Sequence, residues 1–193
     1  MDRDEVAEAI KAKLREKDID FEDVSKGDEI LIRTGMESDF FDSYRVLISI
    51  EGNVQASFYP PMKIKRDRIP VVCEFMMRVN YALRLGKVVM DFADGEFHFE
   101  YLKDFSAFAA NTEDAFMEMM HVPCLAMDAI VPECIAVMAQ AKEPEKACED
   151  YEKGIDAQMA EAKREEAGEP SAGEVGLKAE DYIENKGEWK SIL

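Results

Sequence analysis

The sequence predicts an α+β fold in which an antiparallel sheet carries its helices on one face. Three observations lead there. Apolar residues recur every second position between Phe21 and Tyr59 and again between Val88 and Tyr101, the signature of strands with one buried and one wet face. Before, between and after those stretches they recur at helical spacing. At 193 residues and 47% hydrophobic composition, the chain can bury a stable core without metal or disulfide.

The first helix is expected from Asp4 to about Lys17, where Val6, Ile10 and Leu14 repeat every four residues. A three-strand meander follows. Ile30 and Ile32 alternate with Glu29 and Arg33; Tyr44, Val46, Ile48 and Ile50 point one way; Val54, Ala56 and Phe58 do so after the turn at Glu51-Gly52-Asn53. Pro60-Pro61 closes the sheet run. Asp67 is the expected N-cap of a second helix with Pro70 in its first turn, running to Leu85 and stopping at Gly86. Its thin polar stripe (Glu74, Arg78, Tyr81, Arg84) predicts a central helix covered on more than one side.

A hairpin comes next. Val88, Met90 and Phe92 form one strand, Phe97, Phe99 and Tyr101 the other, and Asp94-Gly95 between them suits a type I′ turn. From Asn111 to about Gln140 the pattern is helical, and Pro123 and Pro132 predict two pieces or one kinked helix. Residues 1–140 make the expected domain. Residues 141–167 read as a helical extension opened by Pro144, with a thin stripe of Cys148, Tyr151, Ile155, Met159 and Ala162; Gly154 weakens it by about 1 kcal/mol relative to alanine. Residues 168–193 read as a linker and tail.

Charge narrows the function classes. Twenty-four basic against 42 acidic residues give a formal net charge of −18, which repels phosphate backbones and anionic lipid, so neither nucleic acid nor a membrane is expected as a partner. The first residues, MDRDEVAEAIKAKLREKD, are charged and lack the apolar core of a signal peptide, and no run of 18 apolar residues occurs. Four cysteines in mostly apolar stretches read as reduced and packed, and the expected compartment is the cytoplasm.

At the second helix and the hairpin, particular residues resemble a known family. Pro60-Pro61 after a strand, a helix with Arg78 and Asn80-Tyr81, Gly86 beyond it, a hairpin with Asp91 and Asp94-Gly95, then Asp128 and Pro132 are similar to the YbjN family of bacterial proteins, the sensory transduction regulators. The resemblance covers about residues 1–140. It implies a fold like that of the type III secretion chaperones, dimeric α+β proteins that cradle client segments. It also implies regulation or chaperoning through protein contact, and it brings no catalytic residues with it.

Each candidate for chemistry has a structural alternative beside it. His121, Cys124 and Cys134 invite a metal, but the spacing lacks the tight second ligand pair of a zinc site, so no metal or cofactor is expected. Asp91 to Glu96 lacks the alternating oxygen ligands of a calcium loop. Asp128, between Ala-Met and Ala-Ile, reads as a carboxylate that caps or hydrogen-bonds within the core. No nucleophile elbow, phosphate loop or dinucleotide fingerprint occurs, and no enzymatic activity is expected. Met117, Met119, Met120 and Met127 crowd one segment; they either fill gaps in the core or line an adaptable groove for apolar clients. Glu113, Asp114 and Glu118 share a helix and suit steering of a basic segment. In the tail, Tyr182, Ile183, Trp189, Ile192 and Leu193 are either spaced apolar anchors that dock on the domain, a second subunit or a partner, or incidental apolar residues of a disordered segment.

The expected function is therefore non-enzymatic binding of a protein partner, regulatory or chaperone-like, with a homodimer as one form of it. The alternative is a small-molecule-sensing regulatory domain, its ligand held between the second helix and the sheet.

Overall fold

The structure is a computed structural model that describes residues 1–166. Helix α1 (Arg3–Glu16) opens the chain and buries Val6, Ala7, Ile10 and Leu14. A capping box starts it: the Glu5 N–H donates to Asp2 Oδ1 and the Asp2 N–H to Glu5 Oε2, both at 2.9 Å. Four strands follow, β1 (Phe21–Asp23), β2 (Ile30–Glu37), β3 (Ser43–Ile50) and β4 (Val54–Tyr59). The expected meander lacks β1, three residues on the sheet's outer edge with no apolar alternation of their own.

Helix α2 (Ile69–Ala82) leads to β5 (Lys87–Met90) and β6 (Phe97–Lys103). The six strands form one antiparallel sheet in the order β1-β2-β3-β4-β6-β5. Tyr44, Val46, Ile48, Ile50, Phe58 and Phe99 line its covered face and are fully buried. Each such side chain contributes about 1.5–3 kcal/mol by leaving water. The opposite face carries Arg33, Arg45, Leu47, Tyr59, His98 and Leu102 and remains open.

Helix α3 (Phe105–Ala110), absent from the sequence expectation, is one short turn-and-a-half capped by Asp104 and anchored by buried Phe108. Helix α4 (Thr112–Met138) begins at Asn111, which caps it, and continues through both Pro123 and Pro132 as a single helix. Tertiary burial offsets the missing ladder bonds: Met119, Met127, Ile130, Val131, Cys134 and Val137 are at or near zero exposure. Helix α4 is also the one described helix long and apolar enough to cross a membrane by length and composition, and 61% of that window is buried inside the protein.

Three expectations change at this level. Helix α4, not α2, is the most enclosed of the described helices; α2 buries Ile69, Val72, Phe75, Met76 and Val79 but leaves Met77 and Tyr81 in solvent. Asp67 does not cap α2, which starts after Arg68 with no side-chain cap and with Pro70 in its first turn. The hairpin turn is longer than a type I′ pair. Strand β5 ends at Met90, Phe92 lies in the loop at 62% exposure, and only Gly95 there has positive φ, whereas a type I′ turn needs it at two residues. At φ +75° a Cβ on Gly95 would sit 2.1 Å from the Ile64 carbonyl oxygen, so glycine is required there twice over.

Helix α5 (Pro144–Glu166) crosses α2 and α4 and packs against both. Ala147, Cys148 and Tyr151 are buried in that contact, so the first half of the extension belongs to the domain's core. Residues 168–193, with Tyr182 and Trp189, lie outside the described residues.

Candidate functional site

Strand β4 pairs with β3 as far as Tyr59 opposite Arg45. Continuing the register would set Pro60 against Tyr44 and Pro61 against Ser43, and neither proline has an N–H to donate. The ladder stops there and the chain swings away. Ser43 and Tyr44 keep only their β2 partners, Glu37 and Met36. The gap so opened is a cleft of about 900 Å³, floored by Thr34, Gly35 and Tyr44 and walled by residues 60–65. The Ile64 N–H donates to the Gly95 carbonyl at 2.8 Å, and just beyond the wall Arg68 donates to the carbonyls of Val137 and Met138 at 2.9 and 3.0 Å, which fixes its C-terminal end.

The lining is basic. Arg33, Arg45, Lys63 and Lys65 face it, with Glu96 the one acidic residue among the described lining. The Arg45 guanidinium lies 4.5 Å over the Tyr59 ring, and His98 flanks the same ring at 4.5 Å. Arg45 also pairs with Glu96 at 3.1 Å; Arg33 pairs with Glu22 and Lys63 with Asp94. Burial lowers the pKa of His98 from its ordinary value, so the ring is neutral at pH 7 and stacks without adding charge.

Asp128 braces the far side. It accepts from Tyr44 Oη at 2.6 Å and Ser38 Oγ at 2.7 Å, while the N–H groups of Phe40 and Phe41 donate to Ser38 Oγ at 3.0 Å. One carboxylate thus ties α4 to β3 and to the loop of residues 38–42. This is the internal hydrogen bonding expected of Asp128. A second cleft of about 780 Å³ lies along that loop, between Glu37, Phe40, Phe41, Asp42 and Pro61.

The sequence-predicted binding residues lie elsewhere. Met119, Met120 and Met127 are 0–1% exposed and Met117 is half-buried. Their side chains fill the core around α4, so they do not line an open groove, and packing is the alternative they satisfy. The acidic trio is also occupied internally. Glu113 pairs with Lys13 and Lys17 at 2.6 and 2.8 Å, Glu118 pairs with Lys103 and accepts from Tyr101, and Asp114 bonds to Asn111. Tyr182 and Trp189 fall outside the described residues.

The cysteines are thiols. Burial pushes Cys124 and Cys134 each up to about 12, with Asp128 adding to the effect at Cys124, and Cys124 Sγ donates to the Glu37 carbonyl at 3.2 Å. A thiolate, the form that ligates and attacks, is disfavoured at both. Among the described residues no three His, Cys, Asp or Glu side chains cluster as metal ligands. The inward side of α2 is filled by Val72, Phe75 and Val79, all fully buried, where a ligand held between this helix and the sheet would require space.

The most exposed apolar stripe among the described residues is on α2. Met77 and Tyr81, one helical turn apart, are 63% and 95% exposed, and Leu85 beyond the helix end is 52% exposed. Compared with known protein families, curated proteins and solved structures, the chain matches none.

The basic cleft is not legible as a site in the sequence, because its cations come from β2, β3 and the loop after β4, and register alone brings them together. A local signal exists in the run KIKRDR after Pro60-Pro61, a basic stretch on a chain of net charge −18.

Proposed function

We propose that the chain is a non-enzymatic protein-binding protein, regulatory or chaperone-like, acting through contact with a partner. The observation that carries this reading is the Met77–Tyr81 stripe. A tyrosine almost wholly in water, one turn from an exposed methionine, has most of its contact area still to bury, and such side chains supply the desolvated centres of protein interfaces. The resemblance of Pro60-Pro61, Asn80-Tyr81 and the Asp94-Gly95 hairpin to the YbjN family supports the same class, as does the α+β architecture that the likeness to secretion chaperones implies.

The test is affinity capture from native lysate with the full chain, with the variant carrying Met77→Asp and Tyr81→Asp, and with a form ending at Glu166. The shortened form keeps α5, because that helix covers apolar surface on α2 and α4. The expected result is a specific partner held by the full chain and lost from the double variant, with an unchanged circular dichroism spectrum. A partner lost only from the shortened form transfers the function to Tyr182, Trp189 and their neighbours. A partner held equally by all three removes the stripe as the site. Homodimerisation is part of the reading; light scattering at micromolar protein is expected to give twice the chain mass, and a monomer mass excludes it.

A further inference from the structure

Acidic residues outnumber basic ones by 42 to 24 in this chain, yet the cleft at the end of β4 is lined by Arg33, Arg45, Lys63 and Lys65 against Glu96. We propose that this cleft binds an acidic, extended peptide segment of a partner protein. The inference rests on the protein-binding reading and names the chemistry of the partner at a surface separate from the α2 stripe.

Charge selects the occupant. The ion pairs that hold Arg33, Arg45 and Lys63 join side chains between one-third and two-thirds exposed, so their carboxylates are screened partners that an incoming carboxylate can replace. Arg45 offers a planar donor fork that a peptide carboxylate can meet in two bonds. Shape selects an extended chain. The cleft runs beside Ser43 and Tyr44 of β3, whose ladder partner was lost at Pro60-Pro61, so a segment lying there follows a strand edge instead of filling a closed chamber. The Tyr59 ring, held between Arg45 and His98, provides an apolar surface for a neighbouring side chain.

The rest of the molecule sharpens the choice. Its net charge of −18 works against an acidic segment in general, and Glu37 at the end of β2 with Asp39 and Asp42 on the adjoining loop bound the site on that side.

The experiment is fluorescence anisotropy with a labelled peptide of alternating glutamate and leucine, and a lysine–leucine peptide as control. The full chain is compared with the variant Arg45→Gln, Lys63→Gln, whose fold is checked by thermal melting. The acidic peptide is expected to bind and the basic one not. The double variant should bind roughly tenfold more weakly or worse, as loss of two charge-assisted hydrogen bonds implies. Affinity should also fall as salt rises from about 0.01 M to about 0.15 M, which shortens the screening length from about 30 Å to about 8 Å. An acidic peptide that binds the variant unchanged, or a basic peptide that binds as well, overturns the proposal. Equal competition by free succinate or inorganic phosphate overturns it too, since the site then takes a small anion. If no peptide binds while the α2 variant still loses its captured partner, the cleft assignment falls and the protein-binding reading stands.

Discussion

Asp128 is a carboxylate in an apolar stretch of α4, and its cost is met by what it touches. Tyr44 and Ser38 both donate to it, and the Asp39 N–H lies 3.4 Å from its other oxygen. Burial and the adjacent carboxylate raise the Tyr44 pKa well above the ordinary value, so the phenol remains a donor across the whole accessible pH range. Asp128→Ala strands both hydroxyls and frees residues 38–42. We expect a loss of about 2–3 kcal/mol in urea unfolding, with Asp128→Asn recovering part because its carbonyl still accepts. A loss under about 0.5 kcal/mol would show that water substitutes for the carboxylate. The role is legible in the sequence because a lone acid among alanine, methionine and isoleucine must find donors. Which donors cannot be read there, since Ser38 and Tyr44 lie 90 and 84 residues away.

At the level of elements, β5 ends the sheet and its outward edge would be a template for another strand. Asn80 blunts it. Its carboxamide donates to the Val88 carbonyl at 2.9 Å and accepts from the Val88 N–H at 2.7 Å, standing in for the missing neighbour. Gly86 makes this approach possible: at φ +75°, a Cβ there would lie 2.3 Å from the Phe99 ring. Asn80→Ala is expected to cost about 1–2 kcal/mol and to increase self-association, read as a higher mass by light scattering than the parent at equal concentration. An unchanged mass would mean that the strand's shortness protects it instead. Strands β3, β4 and β6 and the helical character of α1 and α5 are readable because one buried face imposes a period. Strand β1 and helix α3 are not, being too short to show one, and the unbroken course of α4 through two prolines is a tertiary effect that local rules oppose.

For the whole molecule, the acid side of the stability curve belongs to ion pairs, one set joining two helices and one within α5 and the segment before it. Lys13 and then Lys17 hold Glu113 down to about 2, linking α1 to α4, and Lys146 and then Lys142 hold Asp150 down to about 2. Both lie below their ordinary values of 4.5 and 3.8, so their contribution is present above those values and is lost as pH falls toward 2. Glu133 runs the other way: burial raises it, and its effect on stability declines as pH climbs through the raised value despite Lys142 at 2.8 Å. We expect the urea midpoint to drop from pH 5 toward about pH 3, and Glu113→Gln to flatten that drop. A variant with the parent's acid profile would place the loss on other carboxylates. The basic cleft belongs to this scale as well, and only the KIKRDR run hints at it. Its wall, residues 60–65, is pinned by Ile64 to the hairpin and, just beyond it, by Arg68 to the end of α4. The conformational entropy of that segment is thus surrendered when the chain folds, so a visitor to the cleft meets a finished surface and keeps more of its own contact energy as affinity.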